Sequence, residues 1–197
     1  MVGRRRSGAS RQPPGTGELP AVGSAAADRE PDPESVARAI GLRLLTAAPR
    51  SRQQLADAFE RRDVPREVAE RVLDRFVEIG LVNDAEYARM LVRSQHADRG
   101  LARRALRSEL RKRGIDDELA EAAVGDLSAE QEEDTARSLL GRRLRSMAGL
   151  DREVRVRRLS GLLARKGYSP SVIARLLREM VDDGPSSDPT DVGSWDS

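Results

Sequence analysis

One spacing occurs three times in this chain and limits what it can fold into. The apolar residues Leu55, Phe59, Val64, Val68, Val72 and Phe76 are separated by 4, 5, 4, 4 and 4 positions. The same intervals separate Leu106, Leu110, Ile115, Leu119, Ala123 and Leu127, and again Leu159, Leu163, Tyr168, Val172, Leu176 and Met180. The sets are offset by 51 residues (106 − 55) and 53 residues (159 − 106). A helix-stopping residue, Asp63, Gly114 or Gly167, precedes each third member. An i, i+4 run, a stop and a second i, i+4 run describe two helices joined by a turn. Three copies predict an all-α protein: three tandem three-helix repeats in an elongated array. Arrays of this kind bind something long.

The boundaries follow from caps and breakers. Residues 1–33 are rich in Gly, Ser, Pro, Ala and charge without periodicity, and read as a disordered N-terminal extension. Within it, Pro13–Glu18 has the look of a nucleotide-binding loop. Glu18 stands where the phosphate-binding Lys belongs and no apolar strand precedes it, so it is rejected as an ATP site.

Repeat 1 covers 34–82. Asp32 and Pro33 start its first helix, Ser51 caps a second over 52–62, and a third follows Pro65 to Ile79. Repeat 2 covers 83–127. Asn83 or Asp84 opens its first helix, a basic helix spans 101–113, and Asp116 caps an acidic one over 117–125. Repeat 3 covers 128–182. Ser128 and Gln131 form a capping box, Asp151 caps a helix over 152–166, and Ser169–Pro170 starts the last. Residues 183–197 read as a disordered acidic tail holding the only tryptophan, Trp195.

Composition excludes several chemistries. There is no cysteine, hence no disulfide, thiol nucleophile or cysteine-ligated zinc. The sole histidine, His96, reads as a solvated residue rather than a base. The acids Glu130, Glu132, Glu133 and Asp134, like Asp182 and Asp183, read as solvated charge rather than as a metal site. No catalytic, cofactor-binding or metal-binding constellation is expected, and the chain is read as a non-enzyme. Aromatics are 3% of the residues, too few to stack successive bases. No apolar run reaches membrane-spanning length and no signal peptide is evident, so a cytoplasmic location is expected.

The net charge of +2 conceals segregation. Residues 99–113 hold seven positive charges and one negative; 137–166 hold ten and two. Residues 115–134 hold nine acids and no base, and 182–197 hold five acids and no base. Basic stretches of this density attract polyanions or acidic protein surfaces. On a helical wheel Arg103, Arg104, Arg107 and Arg111 share one arc, away from Leu106 and Leu110. Arg157, Arg158 and Arg165 share a similar outer arc. With Arg99 and Lys112 these are the candidate partner- and DNA-binding residues. The competing reading of the first set is that they pair with the acids of 115–134.

The stretch Gly80-Leu81-Val82-Asn83-Asp84-Ala85-Glu86-Tyr87-Ala88-Arg89, then Arg99-Gly100-Leu101-Ala102-Arg103-Arg104-Ala105-Leu106, then Glu109-Leu110-Arg111-Lys112-Arg113-Gly114-Ile115, resembles the RecX family of recombination regulators. Asn83 departs from the commoner Asp but caps equally well. The resemblance implies a regulator in homologous recombination, DNA repair and the SOS response. It implies a monomer that binds the RecA recombinase filament on single-stranded DNA, in the filament's groove, and restrains ATP hydrolysis, strand exchange and filament growth. No cofactor and no membrane partner are implied. The alternative is a sequence-independent DNA-binding protein built on helix-turn-helix-like units, which would bind DNA weakly and directly.

Overall fold

The structure is a computed structural model and describes residues 32–182. The N-terminal extension up to residue 31, the segment Pro13–Glu18, the acidic tail 183–197 and Trp195 lie outside the described residues. Those described form helices and no strand: α1 (Pro33–Ala47), α2 (Arg52–Glu60), α3 (Arg66–Glu78), α4 (Asp84–Arg99), α5 (Arg103–Lys112), α6 (Asp117–Gly125), α7 (Ala129–Arg145), α8 (Arg152–Arg165) and α9 (Pro170–Leu177), which continues into a π-helical turn, Arg178–Asp182.

The caps explain most of the starts. Ser51 accepts from the Gln54 N–H while the Gln54 side chain accepts from the Ser51 N–H, and Ser128 and Gln131 do the same. Asn83, Asp116 and Ser169 each accept from a backbone N–H of the first turn. Each cap satisfies a donor the helix leaves open. Two expectations need correction. Asp151 occupies the N-cap of α8 but its side chain makes no capping bond. The basic helix α5 begins at Arg103, not at residue 101, because Ala102 is extended, with φ −80° and ψ 163°.

The core is three separate clusters. α1, α2 and α3 enclose Leu55, Phe59, Val72 and Phe76; α4, α5 and α6 enclose Leu106, Leu110, Ile115, Ala123 and Leu127; α7, α8 and α9 enclose Leu159, Leu163, Tyr168 and Leu176. The remaining members of the periodic sets, Val64, Val68, Leu119, Val172 and Met180, are half-buried against the cluster of their own repeat. The 3.6-residue reading therefore describes the core of each unit. Substantial helix–helix packing is confined within units.

Candidate functional site

Polar junctions link the units, and they repeat. At the first, the Ser51 hydroxyl at the start of α2 donates to the Arg113 carbonyl at the end of α5, at 2.6 Å. At the second, the Ala102 N–H at the start of α5 donates to the Lys166 carbonyl at the end of α8, at 2.9 Å. A carboxylate from the next unit's first helix then takes the following N–H. The Arg52 N–H donates to Asp84 Oδ1 at 2.8 Å, and the Arg103 N–H to Glu132 Oε1 at 3.1 Å. The middle helices α8, α5 and α2 thus meet end to end, C-terminus against N-terminus. At the second joint a free carbonyl meets a free N–H, at the first it meets the capping hydroxyl, and at both the macrodipoles align.

Close approach at these joints requires glycine. Gly114 (φ +71°) and Gly167 (φ +88°) close α5 and α8 in the left-handed region. A Cβ on Gly114 would fall 2.2 Å from Gln53 Cβ, and one on Gly167 would fall 2.7 Å from the Ala105 nitrogen. Asp63 (φ +57°) holds the corresponding place in the first unit, which no described repeat abuts.

Side chains reinforce each joint. At the first, Arg113 Nη1 donates to the Tyr87 hydroxyl at 3.0 Å, which donates to Gln54 Oε1 at 3.2 Å. At the second, the buried Tyr168 hydroxyl donates to the Gly100 carbonyl at 3.2 Å, and Lys166 Nζ donates to the Arg99 carbonyl. Burial raises the Tyr168 pKa far above its ordinary value and lowers that of Lys166. His96 is not a solvated residue. It lies half-buried within α4, with Nδ1 2.9 Å from the Leu101 carbonyl and Nε2 2.8 Å from the Thr135 hydroxyl. A carbonyl only accepts, so Nδ1 carries a proton, and Nε2 shares the second hydrogen bond with the Thr135 hydroxyl.

The candidate cations divide into two kinds. Arg103 donates to the Leu127 carbonyl, and its Nε sits 3.8 Å from Glu132 Oε2, an ion pair too long for a hydrogen bond. Arg107 embraces Glu121 through both Nε and Nη2, the latter at 2.6 Å from Oε1. The hydrogen bond from Arg107 holds the Glu121 carboxyl below its ordinary pKa, and Glu121 in turn raises that of Arg107. Arg111 Nε donates to Asp117 Oδ1 at 2.6 Å, and Lys112 Nζ lies 3.5 Å from Glu109. The arc of arginines on α5 therefore faces the acids of α6 and α7, except for Arg104, which is exposed and has no hydrogen-bonded partner among the described residues. Arg99 Nη1 donates to the neutral Gln95 side chain at 2.9 Å.

On α8 the balance differs. Arg157, Arg158 and Arg165 are exposed and, with Arg143 of α7, line a concavity of about 400 Å³. None of these four guanidinium groups makes a hydrogen bond or ion pair with a described residue. The acids of α7 are engaged elsewhere: Glu133 accepts from Arg175, and Arg137 bonds Asp134 at 3.1 Å and Glu179 at 3.2 Å. The Glu133–Arg175 and Arg137–Glu179 pairs tie α7 to α9 and to the π-helical turn that continues it. Among the described residues no cluster of acids and histidines has metal-binding geometry, and no helix is long and apolar enough to cross a membrane. Sequence reasoning offers pairing with the acids of 115–134 only as its competing reading, without singling out Glu121 or Glu132, and misses Lys166 altogether. The advance signal for the two glutamates is the run of acids opposite the basic stretch.

Comparison with known proteins matches each helical unit to a family model. Residues 37–76 match the first three-helix domain of RecX, 83–124 the second and 130–177 the third. The chain belongs to the RecX family. The regulatory protein RecX of Thermobifida fusca (strain YX) is 56% identical over 163 residues, 83% of this chain and 86% of that protein. That of Streptomyces lividans is 54% identical over 152 residues, covering 77% and 81%. A crystal structure of RecX from Lactobacillus salivarius superposes with a TM-score of 0.69 at 21% identity, over 77% of this chain and 97% of that one. At that identity the likeness speaks for the fold alone: three RecX domains in tandem. The relatives are regulatory proteins by name, and the shared family makes this RecX-family chain one as well.

Proposed function

We propose that this RecX-family chain is a non-catalytic regulator that binds the RecA–single-stranded DNA filament in its groove and restrains ATP hydrolysis, strand exchange and filament growth. Family membership supports the partner. The observation that carries the contact is the arginine concavity of the third unit, Arg143, Arg157, Arg158 and Arg165, which holds four cations without carboxylate partners among the described residues. Unpaired guanidinium groups are suited to phosphate or to an acidic protein surface. Arg103, Arg107 and Arg111 already have a carbonyl or carboxylate partner within the chain, so their charge is less available to a partner. Exposed apolar side chains fall at the other end of the sequence, on the first unit: Leu42, Val77, Ile79 and Leu81. A regulator with apolar residues in one unit and free arginines in another can engage protein and phosphate together.

The test is strand exchange and ATP hydrolysis by the recombinase filament with added protein. Inhibition that weakens steeply with salt supports the reading. Absence of inhibition at saturating protein, or ATP hydrolysis or DNA cleavage by the chain alone, rejects it. The same exposed arginines also favour a second reading, sequence-independent binding to naked DNA. Equal affinity for duplex, single strand and filament would select it.

A further inference from the structure

The repeat register exposes a difference between units that composition hides. Subtracting 53 places Val156, Ser160 and Ala164 of α8 on Arg103, Arg107 and Arg111 of α5. It also places Pro170 and Ala174 of α9 on Asp117 and Glu121 of α6. In the second unit these positions form the ion pairs Arg107–Glu121 and Arg111–Asp117 that close the face between the middle and last helices. In the first unit the corresponding Arg52 and Glu70 pair at 2.6 Å. In the third unit every one of these charges is absent, and short or apolar side chains leave a groove of about 690 Å³. Its floor includes Ile173 and Leu177, and Arg104, Arg152 and Arg178 stand at its edge.

We propose that this groove is the docking site of the chain's own C-terminal segment, residues 183–197, with Trp195 as its apolar anchor. Arg178 and Leu177 line the groove, and the segment starts directly after the turn Arg178–Asp182 that follows them. Trp195 lies 13 residues beyond Asp182 (195 − 182). An extended chain of that length reaches about 40 Å, ample for a site a few residues away. The segment carries Asp183, Asp188, Asp191 and Asp196 with no base, opposite an arginine edge. Val192 and Trp195 are its only sizeable apolar side chains, and a tryptophan fills a groove of this kind with few rotamers to lose.

Docking has a regulatory consequence, which rests on the proposed role of the third unit's arginines. Gly161 borders both the groove and the concavity of Arg157, Arg158 and Arg165. A seated acidic segment therefore lowers the potential of the phosphate-binding face and competes with a polyanion. A segment docked nine-tenths of the time weakens apparent polyanion affinity about tenfold.

Trp195 is the only tryptophan, so its fluorescence in the full chain reports on docking directly. The wild type should emit at a blue-shifted maximum, resist quenching by acrylamide, and do so independently of protein concentration. Ala174→Glu, at an exposed helical position in the groove, should shift the emission to the red without lowering the melting temperature. Arg104→Glu should weaken docking and leave what remains less sensitive to salt. A fully exposed Trp195 in the folded wild type overturns the proposal. A blue shift that appears only as concentration rises also overturns it, because the occupant is then a second copy. Regulation is read separately, by the affinity of a mixed-sequence single-stranded oligonucleotide for the wild type and for Trp195→Ser. Tighter binding by the variant supports gating. Equal binding with a docked Trp195 rejects gating alone. No binding by either protein rejects the phosphate face and leaves docking to stand on the fluorescence.

Discussion

Arg103 and Arg157 look alike on a helical wheel but stand in different surroundings. Arg103 is half-buried, donates to the Leu127 carbonyl and faces Glu132. Arg103→Glu sets two carboxylates together and strips the carbonyl of its donor, so it should cost about 1–3 kcal/mol in urea unfolding. Arg157→Glu with Arg158→Glu removes no bond among the described residues and should shift stability by less than about 0.5 kcal/mol. The pair should nevertheless weaken binding to the filament and flatten its salt dependence by roughly one log–log unit for each phosphate no longer neutralised. Unchanged binding by the folded double variant would exclude this face. Acid reads the other set. Hydrogen bonds from Arg107 and Arg175 hold Glu121 and Glu133 below the ordinary glutamate value of 4.5. A carboxylate depressed in the folded state binds protons more readily when unfolded. Its stabilisation is present above pH 4.5 and is lost as pH falls through the lower folded value. Melting temperatures recorded from neutral pH downward should drop below about pH 4.5. Glu121→Gln with Glu133→Gln should melt lower at neutral pH and show a shallower acid slope.

At the scale of the helix, the end-to-end joints are where substitution is least tolerated. Gly80 (φ +75°) has nothing within 4 Å of an added Cβ, so Gly80→Ala should cost about 1–2 kcal/mol from backbone strain alone. Gly167→Ala carries that strain and a collision with the Ala105 backbone. It should be clearly more destabilising than Gly80→Ala in the same unfolding experiment; equal costs would mean the joint opens at little expense. These elements also show what can be read in advance. Each periodic set finds its own core, because Leu55 and Phe59, or Leu159 and Leu163, state a face by spacing alone. Ser51, Ser128 and Asp116 state their caps by residue type. The joints are not legible: Ser51 and Arg113 lie 62 residues apart, and no local pattern relates them. The arc of Arg103, Arg107 and Arg111 is visible in the sequence, but a wheel gives direction about one axis and not the helix standing opposite. For the same reason the sequence hides the setting of His96, since Thr135 lies 39 residues away.

For the whole molecule, three cores joined largely through polar contacts, with Ala102 of the second unit packed into the third core, make stability a sum of units and joints. Cutting one joint should therefore loosen cooperativity before it unfolds any unit. Tyr168→Phe deprives the Gly100 carbonyl of its donor and should cost about 1 kcal/mol. Its urea transition should also broaden, with a smaller apparent m-value than wild type. A shift in midpoint at constant slope would instead mean that the units unfold as one. Each end of the column also differs from its interior. At one end α8 starts a turn early, so that Arg155 occupies the register position of Ser51 and Ala102. At the other, Asp63 has the left-handed backbone of Gly114 and Gly167 but keeps its Cβ. A further unit placed ahead of the first would need that spot bare, as the two interior joints do. Both margins of the described array thus depart from its interior joints, and at residue 63 the departure is a single carbon atom.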